Sequence, residues 1–258
     1  MSQFFDTLHP AHKLAEIDEM KPSARDRLII ALDVGTRAEG ISLALTLAPF
    51  ASWMKIGLQL FTAEGPDLVR AIRETGASVF LDFKLHDIPN TVARAVESIA
   101  ELDVQMLTLH LSGGAKMVQA AVAAAPANLL LLGVTVLTSA GSETLREIGI
   151  VENVSKQVVR LAEIGAACGI GGVVASAQEI RALRKAVGEN LKLVIPGIRP
   201  RGSEKEDQRR VMTPTEAIAA GADYLVIGRP ITAAPDPTIA AGKILEELES
   251  CVSRTDCH

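Results

Sequence analysis

Residues 80–91 of this 258-residue chain read FLDFKLHDIPNT, and they join the end of an apolar strand to a group of charges. Because successive side chains of a strand alternate between its faces, Asp82 and Lys84 are predicted to point the same way. Asp87 follows in a loop, and Pro89 interrupts any regular ladder pairing. Charges this close together are costly to bury unless they neutralise one another. The segment therefore predicts a structural ion-pair cluster, a solvated turn or a reactive site.

Short apolar runs like the one before Asp82 recur along the chain and alternate with segments of helical spacing. Eight strands are predicted, at 28–32, 51–54, 78–83, 104–109, 129–136, 172–174, 191–195 and 224–227. Helical spacing is clearest at 66–75, 92–102, 154–168 and 214–220. Near-continuous apolar strands alternating with helices predict a parallel sheet that is covered on both faces.

Eight strand–helix units in about 250 residues predict an α/β fold of one domain, the (β/α)8 TIM barrel. A doubly wound open sheet is the alternative, but no G-x-G-x-x-G follows the first predicted strand. Aromatic residues make up only 3% of the chain, so the core is expected to be aliphatic.

Composition argues against several classes of partner. The net charge is -5 and no basic patch dominates, so a nucleic-acid partner is not expected. No apolar run reaches the roughly 20 residues of a membrane helix, and the N-terminus lacks the pattern of a secretory signal. The three cysteines form no disulfide framework, which favours a reducing, cytoplasmic location.

Polar residues gather where the predicted strands end. In parallel barrels the loops at the carboxyl ends of the strands form the active-site mouth. A set of polar residues at this mouth therefore predicts a catalytic site. The set consists of Asp33, Lys55, Asp82, Lys84, Thr138, Pro196 and Arg229.

Two features predict a phosphorylated ligand. Gly228 and Arg229 close the last strand before Pro230, where turn N–H groups and a guanidinium suit a phosphate. The long polar connection at 197–210 is either a solvated loop or a lid that brings Arg199 and Gln208 over a bound anion.

Lys55, Asp82, Lys84 and Asp87 alternate in charge, and each ammonium is kept protonated by its anionic neighbours. An ammonium held in a dry pocket can stabilise a carbanion beside it and then protonate it. The array has no metal-ligand spacing, and no cofactor motif accompanies it. The sequence thus predicts neither a metal nor a cofactor, and a metal site at Cys251, Cys257 and His258 is disfavoured against a frayed tail.

Seven motifs together resemble the orotidine 5′-phosphate decarboxylase family. They are LDV (32–34), MKIG (54–57), DFKLHDIPNT (82–91), VTVLTS (134–139), PGIR (196–199), DQRR (207–210) and GRPI (228–231). The resemblance covers roughly residues 27–247. It implies a homodimeric (β/α)8 barrel that converts orotidine 5′-phosphate to UMP and carbon dioxide, the last step of de novo UMP synthesis, without cofactor or metal. It leaves an N-terminal extension at 1–26, a barrel domain at 27–250 and a tail at 251–258.

The resemblance also implies residue roles. Lys84 is similar to the family's proton donor at pyrimidine C6, Asp82 to the carboxylate beside the leaving group, and Lys55 to the lysine that reaches the ribose. Asp87 resembles the aspartate that is lent across the dimer interface. The remaining substrate-binding positions implied are Asp33 for the ribose, Ile88 and Thr91 beside Asp87, Thr138 and Ser139 for the pyrimidine, Pro196 at the rim, and Arg199, Gln208, Gly228 and Arg229 for the phosphate.

Two alternatives use the same barrel. Magnesium-dependent sugar-phosphate decarboxylases and aldolases share D-x-K-x-x-D, but they need a carboxylate at the position of Lys55, where an ammonium would repel the metal. A non-catalytic nucleotide-binding barrel would be expected to lack Lys84 or Asp82. His110 also ends a predicted strand, and a core role is favoured for it.

Overall fold

A computed structural model describes residues 22–200 and 212–255. Eight parallel strands close into a barrel in sequence order, each paired with the next and β8 paired with β1. The strands are β1 Leu28–Ala31, β2 Trp53–Gly57, β3 Ser78–Leu85, β4 Met106–His110, β5 Leu130–Val134, β6 Gly172–Val174, β7 Lys192–Pro196 and β8 Tyr224–Ile227. The predicted (β/α)8 barrel is therefore confirmed.

One short helix precedes β1, and the other helices follow the strands and surround the barrel. They are α1 Ala24–Arg27, α2 Arg37–Leu47, α3 Leu58–Glu64, α4 Pro66–Glu74, α5 Pro89–Ala100, α6 Ala115–Ala124, α7 Ser142–Glu147, α8 Val154–Ala167, α9 Ile180–Val187, α10 Pro214–Ala220, α11 Arg229–Thr232 and α12 Pro237–Thr255. Several begin with a side-chain cap; at the start of α10, for example, Thr213 and Glu216 form a capping box. None of the helices in the described ranges is long and apolar enough to cross a membrane.

Two apolar layers hold the barrel together. One fills its interior, and the other lies between the strands and the helices and is built mostly of Leu, Ile, Val and Ala. The interior layer consists of Ile29, Ala31, Phe80, Met106, Leu132, Val194 and Val226. Burying this surface supplies the main driving force for folding, and the aliphatic core expected from the composition is observed. At the amino ends of β2 and β8, Trp53 and Tyr224 meet edge to face, with ring centroids 5.8 Å apart.

The described part of the chain begins before α1 and ends with α12. Ser23 caps α1 in a reciprocal arrangement with Asp26, and Ser52 donates a hydrogen bond to the same carboxylate at 2.7 Å. At the other end α12 runs to Thr255. The domain bounds 1–26, 27–250 and 251–258 remain a prediction.

One strand departs from regular geometry. Leu81 and Leu85 of β3 pair with Leu107 and Leu109 of β4, so the interval on β3 is longer than the interval on β4. Lys84 lies within this irregular stretch and has φ +53, a left-handed conformation that a long side chain rarely adopts. The bulge places the charged part of β3 at the mouth of the barrel rather than in its ladder.

An ion-pair cluster also lies at the opposite end of the barrel. We call Arg184, Lys192 and Asp223 the lower cluster, because Lys192 begins β7 and Asp223 precedes β8. The Arg184 guanidinium pairs with Asp223, and Lys192 Nζ lies 3.7 Å from the same carboxylate. Arg184 also donates to three main-chain carbonyl oxygens at 2.8 to 3.0 Å, those of Gly188, Leu191 and Gly221.

Candidate active site

Four side chains form a line of alternating charge at the carboxyl ends of β1, β2 and β3. Lys55 Nζ lies 3.2 Å from Asp33 Oδ1 and 3.4 Å from Asp82 Oδ2. Lys84 Nζ donates to the other oxygen of Asp82, Oδ1, at 2.7 Å. We call Asp33, Lys55, Asp82 and Lys84 the upper array. The predicted meeting of Lys55, Asp82 and Lys84 is observed in the structure.

Exposure changes along the upper array. The side chain of Lys55 is 9% exposed and that of Asp82 is 16% exposed, whereas Lys84 and Asp33 reach 33% and 54%. The middle of the array is therefore shielded from water and its ends are accessible. An ammonium has three N–H donors, and among the described residues Lys84 Nζ has one partner, Asp82. Its remaining donors are available to a ligand.

The electrostatics of Asp82 are set by competing effects. Burial penalises its negative charge and would raise the pKa of its carboxyl group. The ammonium groups of Lys55 and Lys84, with hydrogen bonds from Lys84 and Thr108, outweigh burial and hold the pKa of Asp82 below its ordinary value. Asp82 is thus an anion across the physiological pH range.

Thr108 of β4 completes the surroundings of Asp82, and the sequence analysis did not single it out. Its hydroxyl accepts a hydrogen bond from the Lys84 backbone N–H at 2.9 Å and donates one to Asp82 Oδ1 at 3.0 Å. Thr108 is fully buried. A polar residue within the apolar run at 104–109 is the signal that could have found it, since a buried hydroxyl needs partners.

A cavity of about 140 Å³ opens at this mouth, beside the upper array. Lys55, Asp82 and Lys84 form one wall. The rest is neutral or apolar and comes from Phe80, Val134, Val136, Leu137, Thr138, Val174, Ala175, Val194, Pro196 and Val226. The predicted rim residues Thr138 and Pro196 therefore face the same space as the charges. A small ligand here would meet ions on one side and aliphatic carbon on the other.

This geometry is accompanied by extensive similarity to known proteins. A sequence model described as the orotidine 5′-phosphate decarboxylase / HUMPS family matches residues 26–244. The chain belongs to this family. The resemblance seen in the motifs is confirmed.

Curated relatives share half of their residues with this chain. The protein of Moorella thermoacetica named orotidine 5′-phosphate decarboxylase is 51% identical over 236 residues, which cover 88% of this chain and 93% of the relative. The protein of the same name from Opitutus terrae is 51% identical over 227 residues, covering 86% and 98%. Both relatives are thus similar over nearly their whole length.

Solved structures agree with this family relationship. The crystal structure of orotidine 5′-phosphate decarboxylase from Lactobacillus acidophilus has a TM-score of 0.74 at 33% identity and covers 86% of this chain and 99% of that one. An uncharacterized conserved protein from Geobacillus kaustophilus gives a TM-score of 0.73 at 33% identity, with the same coverage.

The loop after β3 carries three predicted site residues on the surface of the single chain. Asp87, Ile88 and Thr91 are exposed, and Asp87 Oδ1 accepts a hydrogen bond from the Ile88 N–H at 2.6 Å. None of the ion pairs between described residues of the single chain includes Asp87. The array predicted from the sequence has Asp87 as its second carboxylate, after Lys84; within one chain the second carboxylate is Asp33, which pairs with Lys55 at the other end of the array.

The predicted phosphate positions are distributed over β7 and β8. Gly228 precedes α11, and a Cβ there would lie 3.5 Å from Asp33 Oδ2, so the end of β8 adjoins the upper array. Arg229 is exposed at the start of α11, and Arg199 donates its backbone N–H to Met212 O at 3.0 Å. Ser139 is exposed as well. Gln208, with residues 201–210 of the predicted lid, lies outside the described residues.

His110 lies at the end of β4, half-buried, with its ring 5.5 Å from that of His86. Burial, then electrostatic interactions with His86 and Lys84, lower the pKa of His110 despite an opposing effect from Asp82. Across residues 22–200 and 212–255, no three His, Cys, Asp or Glu side chains are arranged to hold a metal ion. Cys257 and His258, part of the tail metal site that the sequence disfavours, lie outside these ranges.

Proposed function

We propose that this protein is a cytoplasmic enzyme that decarboxylates orotidine 5′-phosphate to UMP and carbon dioxide, the last step of de novo UMP synthesis. The relatives that carry this activity in their names are 51% identical over most of the chain. The observation that carries the proposal is the shielded Asp82 held between two ammonium groups beside a small cavity.

Lys84 is proposed as the group that stabilises and protonates C6 of the pyrimidine. When the bond between C6 and the carboxylate breaks, the electron pair stays on C6 and carbon dioxide leaves. The Lys84 ammonium stabilises the developing carbanion and then transfers a proton to it, becoming a neutral amine that regains a proton from solvent. This step balances without a metal or cofactor.

Asp82 and Lys55 are proposed to prepare this step. A substrate carboxylate bound next to Asp82 is repelled in the ground state and less so once carbon dioxide departs. Lys55 lies between Asp82 and Asp33, so it can hold Asp82 in place while Asp33 meets the ribose. The arrangement favours the transition state over the bound substrate, which is the requirement for catalysis.

The neutral wall and the β7–β8 ends are proposed to bind the rest of the nucleotide. Thr138, with Ser139 beside it, can contact the pyrimidine ring against the aliphatic wall. The exposed Arg229 guanidinium and the turn at Gly228 suit the phosphate, with Arg199, Gln208 and Pro196 completing its surroundings. A phosphate bound away from the reacting carbon contributes binding energy that can be used at C6.

A homodimer with shared sites is proposed from the placement of Asp87. Its carboxylate takes part in none of the ion pairs of its own upper array, and Ile88 beside it is an apolar side chain that is 66% exposed. A second copy of the chain that covered Ile88 would remove this apolar surface from water. Asp87, Ile88 and Thr91 would then enter the site of the neighbouring copy.

The shared site can be tested by mixing two inactive variants. Asp82→Asn and Asp87→Asn chains are each expected to have less than about 1% of wild-type activity, from losses on the scale of a missing catalytic group. After subunit exchange a mixed dimer contains one intact site, so activity should recover. Exchange is verified by mass spectrometry of tagged chains. Confirmed exchange without recovery would exclude the sharing of Asp87.

The activity itself is tested by following the absorbance of orotidine 5′-phosphate in the presence of a chelator. The expected result is full turnover with and without EDTA, with UMP and carbon dioxide as products. Turnover of sugar phosphates that depends on added magnesium, with none of orotidine 5′-phosphate, would instead place the protein with the sugar-phosphate enzymes. Binding of UMP without any turnover would indicate a non-catalytic barrel.

A further inference from the structure

We propose that Thr108 is a positioning residue of this site: its hydroxyl fixes the Lys84 backbone and the Asp82 carboxylate in one arrangement. The inference rests on the proposed function, because the reaction gives the arrangement its purpose. Thr108 lies in β4, on the far side of Asp82 from Lys55, and lines neither the cavity nor the surface. It therefore acts through Asp82 and Lys84 and not on the substrate.

The hydroxyl of Thr108 acts as both an acceptor and a donor of a hydrogen bond. It accepts from the Lys84 N–H at 2.9 Å and donates its single hydrogen to Asp82 Oδ1 at 3.0 Å. Asp82 Oδ1 also accepts from Lys84 Nζ at 2.7 Å. Thr108, the backbone of Lys84 and the carboxylate of Asp82 thus form a closed set of contacts that joins the ammonium of Lys84 to its own main chain.

The backbone of Lys84 needs such a contact. Its left-handed conformation lies in the stretch where β3 and β4 fall out of register, so the ladder does not hold it in place. A residue keeps such a conformation only when its surroundings impose it. The Thr108 hydroxyl replaces a ladder acceptor for the Lys84 N–H and thereby fixes where the Lys84 side chain begins.

The carboxylate of Asp82 needs the same contact for its orientation. Lys55 approaches Oδ2 at 3.4 Å, while Thr108 and Lys84 both bind Oδ1. With Thr108 present the two oxygens are distinguished, so each faces one lysine. Without it the carboxylate can rotate, and Lys84 Nζ moves with its partner. A displacement of about 1 Å at a reacting group can cost roughly 100-fold in rate.

Three variants separate this role from simple packing. Thr108→Val has the same shape but no hydroxyl, and Thr108→Ser keeps the hydroxyl with less packing. The matched control is Thr135→Val in the same barrel: Thr135 is also buried, and its hydroxyl donates to Val174 O at 2.9 Å, but it does not line the cavity. Circular dichroism and melting curves verify that each variant is folded.

The expected result is a selective loss of kcat. Thr108→Val should lower kcat by about 10- to 100-fold with the affinity for UMP within about threefold. Thr108→Ser should stay within about fivefold of wild type, and Thr135→Val within about threefold. A kcat for Thr108→Val equal to that of the Thr135→Val control, or an equal loss in Thr108→Ser, would overturn the proposal.

The pH profile gives a second readout that lost packing would not change. The charged and titratable groups around Asp82 are Lys55 on β2, Lys84 on its own strand and His110 on β4. Removing a hydrogen bond to the ionised carboxylate raises its pKa, so the acid limb of kcat/KM should move to higher pH in Thr108→Val. An unmoved limb with unchanged kcat would reject the role.

Wild-type turnover is measured first, and its absence would reject the proposed function alone. In that event carbon-13 NMR titration of the Asp82 carboxyl group still tests the arrangement. The pKa of Asp82 should be higher in Thr108→Val than in wild type and unchanged in Thr135→Val. Identical titration curves in all three proteins would reject the positioning role independently of the reaction.

Discussion

The upper array and the lower cluster contain the same kinds of side chain at opposite ends of one barrel. In each, an aspartate lies between two cations: Asp82 between Lys55 and Lys84, and Asp223 between Arg184 and Lys192. Both aspartates are largely buried, with side chains 16% and 22% exposed. Residue type and burial therefore do not separate the two groups.

They differ in what satisfies their hydrogen bonds. Arg184 donates to three carbonyl oxygens, and Asp223 accepts a hydrogen bond from the Leu193 N–H at 2.7 Å. The lower cluster therefore holds main-chain segments together. Among the described residues, the Nζ atoms of Lys55 and Lys84 contact carboxylates alone. The comparison teaches that main-chain partners indicate a structural cluster, whereas side-chain partners around a cavity indicate a site that can bind a ligand.

The largest expected effect is the loss of catalysis in Lys84→Ala. Removing the proposed acid should lower kcat/KM by about 1,000-fold or more, while the melting temperature changes by less than about 5 °C. Steady-state kinetics and calorimetry measure the two. Lys84→Gly, which suits the left-handed backbone, should lose as much, and Lys192→Ala in the lower cluster should lose less than about twofold. Unchanged turnover in Lys84→Ala would show that the upper array does not carry the catalytic acid.

Arg184→Ala should show the reverse pattern. Breaking the pair with Asp223 and removing three carbonyl partners is expected to cost about 2–4 kcal/mol, a fall in Tm of roughly 5–15 °C. Per folded molecule, kcat should remain within about twofold of wild type. Arg70→Ala serves as the control, because the Arg70–Asp67 pair is exposed and worth less than about 1 kcal/mol. Full stability with impaired turnover would mean that the lower cluster is not structural.

Arg229→Ala tests whether an exposed cation outside both groups belongs to the functional class. Loss of a charge-assisted hydrogen bond to phosphate should weaken UMP binding by about 10- to 100-fold. Isothermal titration with uridine, which has no phosphate, should show no change. Equal weakening of UMP and uridine would assign Arg229 to the general shape of the site and not to the phosphate.

The smallest effect concerns alkaline pH at the lower end. Burial, then the carboxylates of Asp223 and Asp26, raise the pKa of Tyr224. The unfolded chain loses this proton near pH 10 and the folded chain only at higher pH, so stability is lost as pH rises between the two. Urea unfolding should show Tyr224→Phe losing less stability than wild type above pH 10, by at most about 1.4 kcal/mol per pH unit. Parallel curves would exclude this effect.

The barrel was predictable because its signals are local. The apolar runs of β1 to β8 and the helical spacing of α4, α5, α8 and α10 mark each element within a few residues. Charges at strand ends predicted that Lys55, Asp82 and Lys84 would meet, since the carboxyl ends of parallel strands share one rim.

The remaining features depend on contacts between distant residues. The left-handed Lys84 donates its backbone N–H to Thr108, 24 residues away, and nothing in the local sequence encodes this contact. Strand alternation correctly predicted that Asp82 and Lys84 meet. It did not predict the bulge in β3 between Leu81 and Leu85, because the bulge depends on the pairing with β4. Asp87 was placed in the array by its spacing, whereas within one chain it is exposed and takes part in none of the array's ion pairs.

The edge contact between Trp53 and Tyr224 has a practical consequence. They are the only tryptophan and the only tyrosine of the chain, and they lie at the end of the barrel away from the cavity. Intrinsic fluorescence will therefore report local unfolding at the amino ends of the strands. A nucleotide that binds at the mouth should leave the emission nearly unchanged. The mouth of the barrel contains neither tryptophan nor tyrosine. The emission of a tryptophan introduced there would therefore report on the mouth alone once Trp53 is replaced by phenylalanine.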